Sequence, residues 1–394
     1  MTTTLDYTNS IYKTSINDFY NGVLKIGTNG FYGTGNLLYD GRTILTAAHV
    51  FDGLSSDTKT IYLYDSVKNF TLSAKVTIYP SYDSRNINGD LALVTFDTNF
   101  TNIYNRYQIY RDSNEISKNY TAVGYGDVGT GNSGALDLST IYKLKTTNTF
   151  DSDFKTLMDD SGTRLSWSPK KDTILISDFD NGNSSTDIIA YLSHNQNLGT
   201  GFTEGIIASG DSGGAAFINN QIAGVASYTT KLTSYGAVGD INNYLDSSFG
   251  EIAAYQRVSY YSEFIDQTIR ANLPNAPKSK SEVKKIVSEV EAYVYFMVEF
   301  LPLRNSVNDI VSIDYTTLNG TAKAGEDFIA TSGKLNIYQD ESYAIVAVEL
   351  INDNIKESNE NFYLEISNPN YGSFGYGVLT LTAVRTIVDD DFIA

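Results

Sequence analysis

The sequence predicts an all-β protein of two or three domains. Its 394 residues include 30 Tyr, 19 Phe and 31 Gly; aromatic side chains favour strands, and glycine permits tight turns. Short apolar runs end at turn residues along most of the chain, and Asp40-Gly41 between two such runs is a specific hairpin signal. The clearest helical spacing of apolar residues lies in 259–271. We therefore expect strands and turns, with one helix near residue 265.

Composition excludes several classes of function. The 28 Lys and Arg residues against 46 Asp and Glu residues give a net charge of −18, which argues against binding nucleic acid or an anionic membrane. The chain has no cysteine, so disulfides, thiol catalysis and thiolate metal sites are excluded. Any histidine chemistry must use His49 or His194, the two histidines present.

A polar segment with two prolines divides the chain. Residues 273–285 read as a linker between a first domain, 1–272, and a second domain, 286–394. Several alternating or apolar strand patterns follow the linker at short intervals. Such spacing predicts a β-sandwich of the immunoglobulin-like kind.

Three short segments carry the chemistry. They contain His49 after Thr46-Ala47-Ala48, Asp90 between Gly89 and Leu91, and Ser212 in Gly210-Asp211-Ser212-Gly213-Gly214. Taken singly, each has a plain interpretation: a histidine at a strand end, an aspartate in a turn, and a Gly-x-Ser-x-Gly sequence that also occurs in α/β-hydrolases. The order of the three along the chain separates these interpretations.

An α/β-hydrolase requires its histidine after the serine, whereas both histidines precede Ser212. A subtilisin-like enzyme requires the aspartate before the histidine, and no aspartate before His49 lies in a matching motif. The order His, Asp, Ser is that of chymotrypsin-like enzymes. Residues 20–270 resemble a trypsin-like serine peptidase of the chymotrypsin fold. The resemblance rests on these three motifs and on the segments 222–228 and 255–259. The resemblance implies two six-stranded β-barrels and a C-terminal helix.

The resemblance implies a role for each motif residue. His49 would accept the proton of Ser212 as general base and return it to the leaving amine. Asp90 would hold the tautomer of His49 and stabilise its cation. The backbone N–H groups of Gly210 and Ser212 would form the oxyanion hole. The family's Ile-Val-Gly-Gly-type N terminus, which pairs with the aspartate before the nucleophile, here Asp211, has no clear match.

Substrate preference in this family depends largely on the residue six positions before the nucleophile, which is Ile206 here. An apolar residue at this position predicts no strong preference for Arg or Lys, and favours apolar side chains. The substrate-binding residues that the resemblance implies are Ile206, Ser209, Ser227, Tyr228 and Thr229.

Two features of the first domain fall outside this mechanism. Asp178-Phe179-Asp180-Asn181-Gly182, followed by Asp187, resembles a cation-binding loop. Its spacing does not complete a calcium loop of known type, and we interpret it as an acidic turn. His194 lies in a polar segment and is interpreted as a solvated loop residue.

Residues 286–391 resemble a Calx-beta domain, on segments that include 311–317, 319–328, 352–357 and 387–391. Calcium-binding members gather acidic loop residues at one end of the sandwich. The matching positions here are Glu289, Asp327, Asp353, Glu357, Asp389, Asp390 and Asp391. Calcium takes six to eight oxygen ligands, so Ca²⁺ is a candidate cofactor of this domain; the alternative is a solvated acidic run. Calcium-binding members often have acidic residues at the positions of Asn352 and Asn354, so these positions offer less negative charge to a cation here.

The sequence as a whole predicts a serine endopeptidase that acts on proteins or peptides without a cofactor for catalysis. Two alternatives stay open: an inactive peptidase-like binding or adhesion protein, and an esterase that uses the same triad. No signal peptide and no apolar stretch of transmembrane length is visible. We nevertheless expect an extracellular or cell-surface protein, with the cytoplasm as the alternative. The sequence carries no signal for an oligomeric state.

Overall fold

The computed structural model describes residues 2–28, 30–53, 58–100, 104–136, 142–180, 182–194, 196–234, 237–300 and 310–390. The chain divides into two compact units between Ile269 and Arg270. Strands dominate both units, which confirms the predicted all-β class. Within the described residues, no helix has the length and apolar character needed to cross a membrane.

The first unit contains the strands β1 Thr2–Thr4, β2 Val23–Thr28, β3 Phe31–Leu37, β4 Thr43–Thr46, β5 Thr58–Tyr64, β6 Asn69–Ile78, β7 Ala92–Phe96, β8 Asn119–Gly124, β9 Val128–Thr130, β10 Gly134–Leu136, β11 Leu144–Thr149, β12 Ser152–Asp153, β13 Ile174–Asp178, β14 Gly205–Ile207, β15 Ala215–Ile218, β16 Gln221–Thr230, β17 Thr233–Ser234, β18 Ala237–Val238 and β19 Ile252–Arg257. Its helices are α1 Phe154–Ser161, α2 Ile188–Ser193 and α3 Ser262–Ala271.

A closed antiparallel barrel with the order β2-β3-β4-β7-β6-β5 forms the first half of this unit. Its core is apolar, with Ile26, Ile44 and Phe51 fully buried. The predicted hairpin at Asp40-Gly41 joins β3 to β4, and Gly41 takes a φ of +74° there. The Asp40 carboxylate accepts a hydrogen bond from the Thr43 amide, 3.1 Å away, which fixes the turn.

The second half of the unit is a seven-stranded sheet with the order β11-β8-β15-β16-β19-β13-β12. The two-residue strand β12 adds to the six strands that the sequence predicted for this half. A separate four-stranded sheet, β10-β9-β1-β14, brings Thr3 opposite Ile206. β14 leads into the loop that contains Ser212, so this small sheet supports one side of that loop.

The predicted helix is α3, and it begins at Ser262, three residues later than the apolar spacing indicated. Tight backbone hydrogen bonds from Tyr260 to Arg257 and from Tyr261 to Val258 make turns of the preceding segment. Ile265 and Ile269 are buried on one face of the helix, as the spacing predicted.

The second unit is the predicted β-sandwich. Its strands are β20 Ile286–Ser288, β21 Tyr293–Glu299, β22 Val311–Asn319, β23 Ser332–Ile337, β24 Tyr343–Glu349, β25 Glu360–Asn370 and β26 Thr380–Val388. One sheet has the order β20-β26-β25-β22-β23, and β21 pairs with β24 in the other. Val294, Ile313, Phe328 and Phe362 belong to the buried core of this unit.

Candidate active site

The three motif residues meet where the barrel faces the seven-stranded sheet. His49 lies on a short 3-10 helix, Ala48–Phe51, directly after β4, and Asp90 precedes β7. His49 Nδ1 lies 2.7 Å from Asp90 Oδ2, and Nε2 lies 2.7 Å from Ser212 Oγ. The His49 amide also donates to Asp90 Oδ1 at 2.8 Å. The imidazole is therefore held between a carboxylate and a hydroxyl, and its backbone is anchored to the same carboxylate.

Burial and charge act on His49 in opposite directions. Asp90 is fully buried, whereas the His49 side chain keeps 30% of its surface exposed. Burial lowers the pKa of His49, but the hydrogen bond that its ring donates to Asp90 and the charges of Asp90 and Asp52 outweigh this effect, so the pKa is raised above the ordinary value. This arrangement stabilises the imidazolium that proton transfer from Ser212 would create.

Asp90 has a second side-chain partner that the sequence did not reveal. Ser227 Oγ donates to Asp90 Oδ2 at 2.5 Å, and Gln256 Nε2 lies 3.3 Å from Ser227 Oγ. Gln256 is itself fixed by a 3.0 Å hydrogen bond to the Ile87 carbonyl. The sequence placed Ser227 on the substrate path; its side chain is 5% exposed and turned to the carboxylate.

The loop around Ser212 depends on two glycines. Gly210 and Gly213 have φ values of +91° and +87°, in the left-handed region that side chains disfavour. The carbonyl of Ser212 accepts a hydrogen bond from the Thr34 amide at 2.8 Å, which ties the loop to β3. Within the described part of the chain, the amides of Gly210 and Ser212 donate to no protein acceptor. Both N–H groups are thus available to an incoming oxygen.

Asp211 fastens the same loop from behind. It is 1% exposed, and its two carboxylate oxygens accept hydrogen bonds from the amides of Gly126 and Ala208, each 2.9 Å long. Burial raises the pKa of Asp211 to about 6. These hydrogen bonds fix the backbone that leads into Ser212 and tie it to the segment at Gly126.

The remaining substrate-binding candidates lie in different surroundings. Ile206 is fully buried in an apolar cluster that includes Phe179 and Phe249. Tyr228 packs against Phe154 and Trp167, with ring centroids 6.3 and 6.4 Å away. Ser209 is exposed and Thr229 is half-buried. No sequence pattern pointed to Trp167, which reaches Tyr228 from the loop after α1.

The acidic candidates of the second unit converge only in part. Asp327 and Glu357 lie with Glu360 in a group in which one carboxylate oxygen of each residue is within 4.8 Å of the other two. Glu360 was not predicted. Asp389 accepts a hydrogen bond from the Glu357 amide at 2.9 Å, which places it beside the group. Slight burial and the charges of Asp327 and Asp353 raise the pKa of Glu357.

The other predicted ligands are engaged elsewhere. Asp390 accepts from the Ser288 hydroxyl at 2.9 Å, and Asp353 accepts from the Ile355 amide at 2.6 Å. Glu289 is 6% exposed. Asp391 lies outside the described residues. Three of the seven sequence candidates, Asp327, Glu357 and Asp389, are thus linked to one acidic group.

The structure also shows where His194 and the acidic segment of the first domain lie. His194 follows α2 with a φ of +57°. The segment interpreted as an acidic turn contains a turn, with a hydrogen bond from the Asn183 amide to the Asp180 carbonyl. Asp178, Asp180 and Asp187 are nevertheless buried, at 2%, 0% and 3% exposed.

Comparison with family models shows which known families parts of this chain resemble. Residues 9–156, which hold His49 and Asp90 and end before Ser212, match the trypsin family model. Residues 279–391 match the Calx-beta domain model. The chain joins a trypsin-family domain to a Calx-beta domain. The predicted resemblances are thereby confirmed, and we call the two units the peptidase domain and the Calx-beta domain.

Individual relatives cover only parts of the chain. The sodium/calcium exchanger Calx of Drosophila melanogaster is 32% identical over 88 residues, which is 22% of this chain and 9% of the exchanger. Sodium/calcium exchanger 1 of Canis lupus familiaris is 42% identical over 60 residues, or 15% of this chain and 6% of the exchanger. The chain thus matches less than a tenth of either relative.

Among solved structures, neuropsin, a serine protease expressed in the limbic system of mouse brain, is similar with a TM-score of 0.46 and 14% identity. The similarity covers 66% of this chain and 98% of the neuropsin chain.

Proposed function

We propose that the peptidase domain is an active serine endopeptidase that works through an acyl-enzyme. The observation that carries the proposal is the continuous line of hydrogen bonds from Asp90 through His49 to Ser212, with both side-chain distances at 2.7 Å. A serine hydroxyl is a weak nucleophile at neutral pH, and a positioned imidazole removes this weakness by taking its proton. Distances within hydrogen-bond reach meet the geometric requirement for such a base.

In the proposed reaction, Ser212 Oγ attacks the substrate carbonyl while its proton passes to His49 Nε2. The amides of Gly210 and Ser212 receive the oxyanion. His49 then gives its proton to the leaving amine, which leaves an ester on Ser212. Water, deprotonated by His49, hydrolyses that ester and restores the hydroxyl. Asp90 stays ionised throughout and balances the imidazolium charge.

The wall next to the site favours a peptide over a small ester. Ser227 contacts Asp90, so the following residue, Tyr228, lies close to the catalytic line and rests on Phe154 and Trp167. Aromatic walls of this kind bind extended apolar side chains. Since Ile206 is fully buried, this aromatic wall is what supports our proposal of cleavage after apolar residues.

The test is hydrolysis of casein and of a peptide library by wild-type protein and by Ser212→Ala. Wild-type cleavage after Leu or Phe, lost in the variant, is the expected result. Faster cleavage after Arg than after Leu contradicts the proposed preference. Hydrolysis of small esters but not of casein favours the esterase, and no hydrolysis of either substrate favours the binding protein.

We further propose that the Calx-beta domain binds Ca²⁺ through Asp327, Glu357 and Glu360. Support comes from their oxygens, which lie within 4.8 Å of one another, a spacing that suits ligands about 2.4 Å from one calcium ion. The matching exchangers are named for sodium and calcium. Calorimetric titration with calcium chloride should show weaker binding in Glu360→Gln than in wild type. Glu365→Gln, five residues along the same strand, is the matched control; equal loss in both variants would refute this site.

We also propose that the protein acts outside the cell or at its surface. The proposal rests on the absence of cysteine and on the hazard of an unregulated peptidase in the cytoplasm. Fractionation of the producing cells tests it, and recovery only from the soluble intracellular fraction would contradict it.

A further inference from the structure

Five carboxylates gather in the interior of the peptidase domain, apart from the catalytic residues. They are Asp151, Asp178, Asp180, Asp187 and Glu204. Asp178, Asp180, Asp187 and Glu204 are each at most 3% exposed, and Asp151 lies between β11 and β12. The oxygens of Asp178, Asp180 and Asp187 lie within 4.8 Å of one another. We call these five residues the buried carboxylate cluster.

No positive side chain balances the cluster. Among the described residues, no Lys, Arg or His forms an ion pair with any of its five members. The groups that surround them are amides: Gly182 N donates to Asp180 at 2.7 Å, Ala190 N to Asp187 at 2.8 Å, and Ile189 N to Asp178 at 2.9 Å. Neutral donors orient carboxylates but do not cancel their charge.

Among the residues that the structure describes, nothing donates a hydrogen bond to two buried oxygens of the cluster. They are Asp180 Oδ2 and Glu204 Oε2, on side chains that are both 0% exposed. The other oxygen of Glu204 accepts from the Asp180 amide at 3.2 Å, which places the two residues side by side. A buried carboxylate oxygen without a donor is costly and rare, and two in one cluster indicate a ligand that accepts their lone pairs.

The environment also disfavours ionisation in the absence of such a ligand. Burial and the neighbouring carboxylates both oppose a negative charge at these positions. A bound cation supplies the missing positive charge and reverses this effect.

We propose that the buried carboxylate cluster is a Ca²⁺ site, with Asp178, Asp180 and Asp187 as ligands and Glu204 Oε2 as a further oxygen. Calcium accepts six to eight oxygens at 2.3–2.6 Å, so ligand atoms around one ion lie within about 5 Å of each other. The cluster contains oxygens only, which disfavours zinc and other ions that prefer nitrogen or sulfur. Mg²⁺ usually retains several waters, so a site of closely packed, buried carboxylates suits it less well.

The site would connect two segments that flank the catalytic loop. Asp178 ends β13, and Glu204 immediately precedes β14, whose residue Ile206 lies six positions before Ser212. A cation bound to both segments therefore fixes the beginning of the strand that leads into the Ser212 loop. This site is independent of catalysis: it would stabilise the peptidase domain even if the domain hydrolysed nothing.

Trp167 allows the test to be made on the full chain. It is the only tryptophan in the sequence, and it packs on Phe154 and Tyr228 of the peptidase domain. Its fluorescence therefore reports the unfolding of that domain, whatever calcium does at the Calx-beta domain.

The experiment is thermal unfolding of EGTA-treated protein, followed by Trp167 fluorescence, with calcium chloride added. At a hundredfold excess over the dissociation constant, we expect the midpoint to rise by about 5–10 °C. Asp180→Asn keeps the shape of the side chain and removes one charge; it should abolish the shift without lowering the midpoint in EGTA. Glu360→Gln, in the Calx-beta domain, should retain the full shift.

Two results would overturn the proposal. One is a wild-type midpoint that does not respond to calcium chloride, or responds equally to magnesium chloride. The other is an undiminished shift in both Asp180→Asn and Glu204→Gln. Since the wild-type response is measured first, the test does not depend on the folding of either variant.

Discussion

Asp90 Oδ2 serves two partners at once: it lies 2.7 Å from His49 Nδ1 and accepts the 2.5 Å hydrogen bond of Ser227 Oγ. One oxygen of a fully buried carboxylate is thus shared between the His49 imidazole and a hydroxyl from the seven-stranded sheet. The hydrogen bond from Ser227 therefore weakens the electrostatic effect of Asp90 on the pKa of His49.

Replacement of Ser227 by alanine should therefore change catalysis and its pH dependence together. A buried hydrogen bond to a charged group contributes about 1.5–3 kcal/mol, so we expect kcat/KM to fall about tenfold. With Ser227 gone, the charge of Asp90 acts more strongly on His49, and the acid midpoint of the kcat/KM profile should move to higher pH. Ser73→Ala, at an exposed position on β6 of the barrel, should move neither quantity. A reduced rate with an unchanged midpoint would mean that Ser227 only supports packing.

The wild-type pH profile is a second prediction. Asp90 and Asp52 raise the pKa of His49 against the effect of burial. The protonated imidazole cannot accept the Ser212 proton, so activity is lost as the pH falls through this raised pKa. We expect the acid limb of kcat/KM to have its midpoint above about 6.5, the ordinary value for histidine. A midpoint below that value would show that burial outweighs the carboxylate.

Gly213 should tolerate no side chain. A Cβ atom there would lie 2.1 Å from Thr46 Oγ1 and 2.2 Å from the Thr34 carbonyl oxygen. Gly162 is the matched control, because its φ of +65° is also left-handed but nothing lies within 4 Å of its Cβ position. We expect Gly162→Ala to cost about 1 kcal/mol, and Gly213→Ala at least about 2 kcal/mol more. Urea unfolding followed by Trp167 fluorescence measures both; equal costs would contradict the close packing of the Ser212 loop on β3.

A buried ion pair away from the active site gives a prediction of stability alone. Arg257 Nε and Nη2 donate to Glu115 Oε2 at 3.0 and 2.5 Å, and the two side chains are 7% and 0% exposed. Glu115→Ala leaves the guanidinium buried without its main partner and should destabilise the peptidase domain by about 3–5 kcal/mol. Asp159→Ala breaks the exposed pair with Lys155 and should cost under about 0.5 kcal/mol. Similar costs in the same urea assay would contradict the buried character of the Arg257 pair.

What the sequence could and could not predict follows from how far each signal extends along the chain. The hairpin at Asp40-Gly41 was predictable because its turn chemistry is local, and the helix near residue 265 because its apolar spacing is regular. The Ser227 contact with Asp90 was not predictable from residues alone, since a serine in a strand has no local mark of its partner. The burial of the carboxylate cluster was not predictable, because Asp151 and Glu204 reach it from distant segments. Burial, which makes the cluster unusual, leaves no trace in the spacing of Asp178, Asp180 and Asp187.

The most direct test of the central claim is covalent labelling by a fluorophosphonate, which reacts with a serine only where a neighbouring base activates it. Wild-type protein should be labelled at Ser212, as located by peptide mass spectrometry, and Ser212→Ala should not be labelled. His49→Ala keeps the hydroxyl and removes the base, and its labelling should fall by at least about a thousandfold. Labelling of His49→Ala at the wild-type rate, or no labelling of folded wild-type protein, would contradict the proposed triad.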